Sequence, residues 1–178
     1  MTTRTDPTTN MPTQVFRVWI KAEPQKIWDA ITQSEWTERY GYAAPSSYDL
    51  RPGGTYQAFA SDDMRKHAAE HGWPMPDVIV DGEVVECDPP RRLVQTWRML
   101  MDPSTASEPF TRLTYEIEEL PQQPGVCRVT LTHEVAGAPS TGTMIAGNPE
   151  VGAEGGGGWA WVLSDLKSLL ETGAPLAG

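Results

Sequence analysis

The chain has 178 residues, 39% of them hydrophobic, seven tryptophans and a formal net charge of −10. That length suits one domain with a sizeable core, and the apolar content excludes global disorder. The acidic excess repels phosphate backbones and anionic lipid, and no apolar run is long enough to span a membrane, so neither nucleic acid nor membrane is expected as a partner.

Met1 to Pro12 is polar and Thr-rich and lacks the apolar core of a signal peptide. It reads as a loose tail (1–12) ahead of one folded domain (13–173) and a short C-terminal tail (174–178), with a cytoplasmic location expected. Cys87 and Cys127 sit at strand edges with no CxxC spacing and read as free thiols. The inferred strand order puts two strands between them, roughly 14 Å at about 4.8 Å per strand. A disulfide cannot span that distance.

Thr13 to Lys21 reads as a first strand with two partly apolar faces. Pro24 then opens a helix whose inner stripe is Ile27, Trp28 and Ile31, and a second short helix follows over Ser34 to Tyr40. Tyr48 to Leu50 and Thr55 to Ser61 form a hairpin about Arg51-Pro52-Gly53-Gly54. Val78 to Cys87, with a kink at Gly82, turns at Asp88-Pro89-Pro90-Arg91 into Leu93 to Met101. Phe110 to Leu120 alternates Leu113, Tyr115 and Ile117 against polar residues. Val126 to Val135 puts Cys127, Val129, Leu131, His133 and Val135 on one face.

The last helix, Gly158 to Glu171, organises the rest. Trp159, Val162, Leu163, Leu166, Leu169 and Leu170 make one stripe of helical period, and Ser164, Asp165, Lys167, Ser168 and Glu171 are expected opposite. Gly173 and Pro175 mark its stop. Trp161 falls off the stripe, and the Pro139–Asn148 loop, with apolar Met144 and Ile145, is expected to fold over it as a lid. The fold class is α+β: a curved antiparallel sheet of about seven strands wrapped on a long C-terminal helix, with two short helices after the first strand. A sheet curved over a single helix leaves space between them.

Several blocks carry a resemblance: Phe16-Arg17-Val18-Trp19; Pro24-x-x-x-Trp28-x-Ala30; Leu50-Arg51-Pro52-Gly53-Gly54; Gly82-Glu83-Val84-x-Glu86; Pro89-Pro90-x-Arg92-Leu93-Val94-x-Thr96-Trp97; and Gly158-Trp159-x-x-x-Leu163-x-x-Leu166-Lys167. In order over Val15 to Glu171, they resemble the START-like (SRPBCC, helix-grip) superfamily, and most of all the branch named after the activator of the heat-shock chaperone ATPase. The resemblance implies the helix-grip fold. It does not select among the superfamily's lipid carriers, polyketide cyclases, chaperone activators and antibiotic-resistance proteins.

His67-Ala68-Ala69-Glu70-His71 spells the HxxEH of inverted zinc proteases. It ends at Gly72-Trp73-Pro74, no long helix is expected to hold it, and no third ligand is evident, so no metal is expected. Gly155 to Gly158 lacks the Lys-Ser/Thr pair of a phosphate loop and follows Glu150 and Glu154; a flexible lip is the better reading. His133 is the one histidine on an inward face. A satisfied core histidine is favoured over an acid/base role, which leaves it the weak catalytic candidate. Arg98 and Glu116 alternate to the outer face. Trp36, Tyr40, Tyr56, Phe59, Trp73, Trp97, Phe110, Tyr115 and Trp159, with Met99, Met144 and His133, are expected to line a pocket.

Together these point to binding or sequestration of a hydrophobic small molecule, aromatic or polyketide-like, in an internal cavity, without a cofactor and with a homodimer left open. The rival readings are a self-resistance protein of the self-sacrifice type, a polyketide cyclase-like or hydrolase enzyme, and a chaperone co-regulator.

Overall fold

The computed structural model describes residues 12–152 and 155–176. The expected N-terminal tail lies outside them except for Pro12, whose carbonyl accepts a hydrogen bond from the Val135 amide at 2.7 Å. Seven strands form one antiparallel sheet: β1 (Thr13–Ile20), β2 (Ser46–Tyr48), β3 (Thr55–Phe59), β4 (Val78–Asp88), β5 (Arg92–Met99), β6 (Thr111–Glu119) and β7 (Cys127–Glu134). Their order is β1-β7-β6-β5-β4-β3-β2. Six helices complete the chain: α1 (Pro24–Thr32), α2 (Ser34–Thr37), α3 (Asp62–His71), α4 (Pro103–Ala106), α5 (Pro139–Ala146) and α6 (Gly158–Thr172). This is the α+β helix-grip arrangement, with the curved sheet, the two early helices and the long final helix all in place. Cys87 on β4 and Cys127 on β7 are both free, with β5 and β6 between them.

Strand period two sorts the side chains. Phe16, Val18 and Ile20 of β1 lie opposite Leu131, Val129 and Cys127 of β7. Those three β7 residues are fully buried, with Ile117, Leu113 and Leu93 continuing the same inward face. The outer face carries ion pairs: Arg92 with Glu116 (2.6 Å) and Glu86 (3.1 Å), and Arg98 with Asp81 (2.8 Å). Arg98 and Glu116 therefore do lie outside. At Gly82 a Cβ would meet the Thr96 carbonyl oxygen at 1.9 Å, so only glycine lets β4 approach β5 there.

Four local expectations are corrected. The β2 strand ends at Tyr48, which pairs with Tyr56, and the residues beyond it form the turn: a Cβ on Gly54 would meet the Asp49 oxygen at 1.9 Å. The HxxEH segment is a regular ten-residue helix, capped by Ser61 accepting from Met64 N (3.1 Å) and stopped by left-handed Gly72. Pro139–Asn148 is mostly the helix α5 and not a loop. Its N-terminus is capped from afar by Glu108, which accepts from Ser140 N (2.7 Å), Thr141 N (2.9 Å) and Thr141 Oγ1 (2.7 Å). Burial raises the Glu108 carboxyl, but these donors outweigh it and hold the pKa below the ordinary value.

The fourth correction concerns α6. Leu163, Leu166, Leu169 and Leu170 are buried as expected, but so is Asp165, at 2% exposure. Its Oδ2 accepts from Gly41 N (2.7 Å) and its Oδ1 from Leu176 N (2.5 Å), tying the loop after α2 and the C-terminal segment to the helix. Two charge-assisted bonds to backbone donors make that burial tolerable.

Candidate ligand-binding site

Residues facing each other across neighbouring strands form rows on the inward face. One row runs Gln14 (β1), His133 (β7), Leu113 (β6), Gln95 (β5) and Val84 (β4). Its three polar members are all buried. Gln14 donates from Nε2 to the Gly142 carbonyl of α5 at 2.9 Å. The other two differ sharply in what they bond.

His133 is saturated. Its Nδ1 accepts from the Trp159 indole N–H at 3.0 Å, and an indole can only donate. The ring proton therefore sits on Nε2, 2.7 Å from Thr111 Oγ1. Thr111 sends its own hydroxyl proton to the Trp97 carbonyl (2.8 Å), so its oxygen is left to accept from Nε2. The Trp97 ring stands edge-on to the imidazole at 5.1 Å. Burial lowers the His133 pKa from 6.5 to about 3, which keeps the ring neutral. A general base needs an available lone pair at working pH, and this ring's is engaged by Trp159.

Gln95 is not saturated. It has no exposed surface, its Oε1 accepts from the Tyr48 hydroxyl at 2.8 Å, and its Nε2 makes no hydrogen bond. Tyr56 faces it, off hydrogen-bonding geometry for that nitrogen. An amide nitrogen has two protons to donate, so even a shift toward Tyr56 would leave one over. A buried donor without an acceptor costs about 1–3 kcal/mol.

Tyrosines surround this amide. Tyr48 stacks on Tyr56 with ring centroids 4.5 Å apart. Tyr115 stands edge-on to Trp159 at 6.4 Å, and Trp159 lies 6.2 Å from Trp97. Tyr40, reaching in from the segment after α2, donates to the Ala30 carbonyl at 2.9 Å. Burial raises the hydroxyl pKa of Tyr40, Tyr48 and Tyr115, and lifts that of Tyr56 to about 12. All four stay protonated near neutral pH. Yet Tyr40, Tyr48 and Tyr115 are only half-buried.

The residues expected to line a pocket divide into two groups. Tyr56 and Trp97 belong to the buried core, and Trp36, Tyr40, Met99, Tyr115, Met144 and Trp159 pack against it partly buried. Three lie elsewhere. Trp73 is 59% exposed after α3, stacked on His71 at 4.7 Å. Phe110 is 48% exposed beneath the Arg98 guanidinium, 4.3 Å from its ring centre. Phe59 alternates with buried Ala58 and Ala60 and so takes the opposite face of β3 from Tyr56. Reasoning from sequence missed Tyr48, Gln95 and Thr111. Gln95 left a trace, a lone amide two residues from both Leu93 and Trp97 on an inward face; Thr111, at a strand start, left none.

A cleft of about 370 Å³ opens between α4 and α5, lined by Asp102, Ser104, Thr105, Ser140, Thr143 and Met144. Thr105 ties it to β5 by donating to the Met99 carbonyl at 3.1 Å. His67 and His71 share a face of α3, where the His71 Nδ1–H donates to the His67 carbonyl (2.8 Å). Among the described residues no cluster of three or more His, Cys, Asp or Glu could hold a metal ion. Gly152 and Gly157 lie against Trp161, where a Cβ would meet its side chain at 2.7 and 2.6 Å; Glu154 lies outside the described residues.

A sequence profile described as Activator of Hsp90 ATPase homolog 1-like protein matches residues 21–171. The chain belongs to this family. Among curated proteins none matches the sequence. Solved structures share the fold. The BPP1335 protein of Bordetella parapertussis is 20% identical at a TM-score of 0.64, covering 93% of this chain and 78% of its own. DynU16, a protein of the dynemicin biosynthetic locus, is 18% identical at 0.61 over 93% of this chain, which spans only 49% of DynU16. The Aha1 dimer of Colwellia psychrerythraea is 19% identical at 0.56, covering 92% and 98%. Among the described residues no helix is long and apolar enough to cross a membrane.

Proposed function

We propose that this family member binds a hydrophobic small molecule between the tyrosine-bearing half of the sheet and the elements that carry Tyr40 and Trp159. One observation carries the reading. Tyr40, Tyr48 and Tyr115 lie deep enough for burial to raise their hydroxyl pKa, yet all three keep accessible surface. Aromatic walls with a few aimed polar groups are how ligand sites are built.

Binding or sequestration is preferred to turnover because His133, the candidate acid/base, has both nitrogens engaged. The dynemicin locus of DynU16 makes a secondary metabolite a sensible ligand source for this fold. A second copy of the chain is the other partner we infer, on the precedent of the Colwellia dimer and the 49% exposure of Trp19 on the edge strand. Sedimentation at rising concentration tests that inference.

For the ligand, a series of planar apolar probes from naphthalene to pyrene should quench tryptophan emission saturably and shift the amide signals of Tyr115 and Trp159. No perturbation by any probe would overturn the reading.

A further inference from the structure

The buried amide of Gln95 says what the ligand carries. We infer that the ligand is an uncharged aromatic compound bearing a carbonyl oxygen, which the Gln95 amide holds as its hydrogen-bond donor. This rests on the binding reading above and narrows it to a chemical class.

Three observations support it. First, Gln95 is fully buried, with Oε1 matched by Tyr48 and Nε2 matched by nothing. Natural interiors rarely leave such a donor orphaned, and those that do commonly reserve it for something absent from the free protein. Its neighbours do not compete for the role: Leu113 and Val84 flank it across the sheet, and Tyr48 spends its proton on Oε1. The group that completes the amide must bring an acceptor.

Second, the surroundings are uncharged. The inward side chains about Gln95 are Tyr48, Tyr56, Trp97, Leu113 and Tyr115. Asp165, the buried carboxylate of this region, has both oxygens bonded to backbone amides. An ionised ligand would lose its hydration here and meet no counter-charge, so the acceptor belongs to a neutral group. Third, the surroundings are aromatic: Tyr48 stacks on Tyr56, while Trp97 and Tyr115 meet Trp159 tilted and edge-on, and aromatic faces and edges both pair well with planar ring systems.

The test uses three probes that differ at a single carbon: fluorene (CH₂), 9-fluorenone (C=O) and 9-fluorenol (CHOH). Their affinities for the wild-type protein and for Gln95→Leu are measured by tryptophan quenching. Fluorenone should bind the wild type about tenfold more tightly than fluorene, the usual scale for matching one buried donor. In Gln95→Leu that preference should fall to near unity while fluorene binding is kept. Should the variant fold poorly, the carbonyl stretch of fluorenone bound to the wild type decides: it should lie below its value in hexane. Equal binding of fluorene and fluorenone, a stronger preference for fluorenol, an unshifted stretch, or a preference that survives in Gln95→Leu would each overturn the inference and leave the binding reading standing. If none of the three probes binds the wild type, both fail.

Discussion

His133 and Gln95 sit in one row of the sheet with only Leu113 between them, and neither has any exposed surface. Each should therefore carry the same burden, since a buried polar group must find partners or destabilise the fold. His133 meets it fully, through Trp159 on one nitrogen and Thr111 on the other. Gln95 meets it by half. The difference follows the packing on either side of Leu113. Toward β7 and β1 the inward face is closed by Val129, Leu131 and the leucines of α6, all buried. Toward β3 and β2 it carries Tyr56, which is buried, and Tyr48, which keeps accessible surface. One sheet face thus serves as core at one end and as candidate site at the other, and the state of its polar groups tells the two apart.

Stability breaks or sharpens that contrast most directly. His133→Leu leaves the Trp159 indole donor without its acceptor and buried Thr111 without its imidazole donor, and unfolding free energy should fall by about 2–3 kcal/mol. Gln95→Leu removes an unmatched donor along with one matched acceptor, so denaturant midpoints should place it within about 1 kcal/mol of the wild type. Equal losses in the two variants would mean that Gln95 is as firmly built into the core as His133.

Acid gives a second handle on the saturated end. The folded state holds His133 neutral down to about pH 3, whereas the unfolded chain protonates it below the ordinary 6.5. The unfolded state therefore binds the extra proton between those limits. The contribution is present in full above pH 6.5 and is lost as pH falls, by about 1.4 kcal/mol per pH unit within the window. Glu108, Glu171 and Asp102, whose carboxyls are held below their ordinary values, lose their own contributions only once pH drops beneath the usual carboxylate range. The interval from about pH 6 to pH 5 thus isolates the histidine. Urea unfolding across it should show the slope in the wild type and none in His133→Gln. A flat wild-type profile would mean that the ring can be protonated in place.

What could be read in advance follows from the range of the interactions. Strand order, the inward alternation of Leu113, Tyr115 and Ile117, and the stop at Gly173 depend on period-two patterning, tight turns and a cap, all written within a few residues. Asp165 was placed on the wrong face because its partners are Gly41, 124 positions away, and Leu176, beyond the end of the helix. The helix α5 looked like a loop because its cap is Glu108, 32 positions upstream of Ser140. The aromatic set was partly visible for a similar reason. Residue type marked Trp73 and Phe110 as pocket candidates, but only the paths of α3 and the β5–β6 connection put them in solvent. Gln95 was missed because a single amide has meaning only once its neighbours are known.

The smallest expected effect lies at the start of α6 and tests which segment moves. Trp161 points off the leucine stripe, and Gly152 and Gly157 lie against its ring. Among the described residues the backbone around them is tied by bonds from Asn148 N to Gly156 O (2.8 Å), Val151 N to Asn148 O (3.2 Å) and Gly155 N to Gly152 O (3.0 Å). The helix α5 is secured separately, by the Glu108 cap, by Gln14 and by buried Ile145. Trp161→Ser should therefore speed amide exchange at Asn148, Val151 and Gly155, while Gly142, whose amide bonds to Ala138, keeps its protection. Loosening of α5 with those amides unchanged would restore the helix as the mobile cover. Loosening of both would mean that the two segments open as one unit, so that access to the tyrosine-lined end is coupled to the helix start.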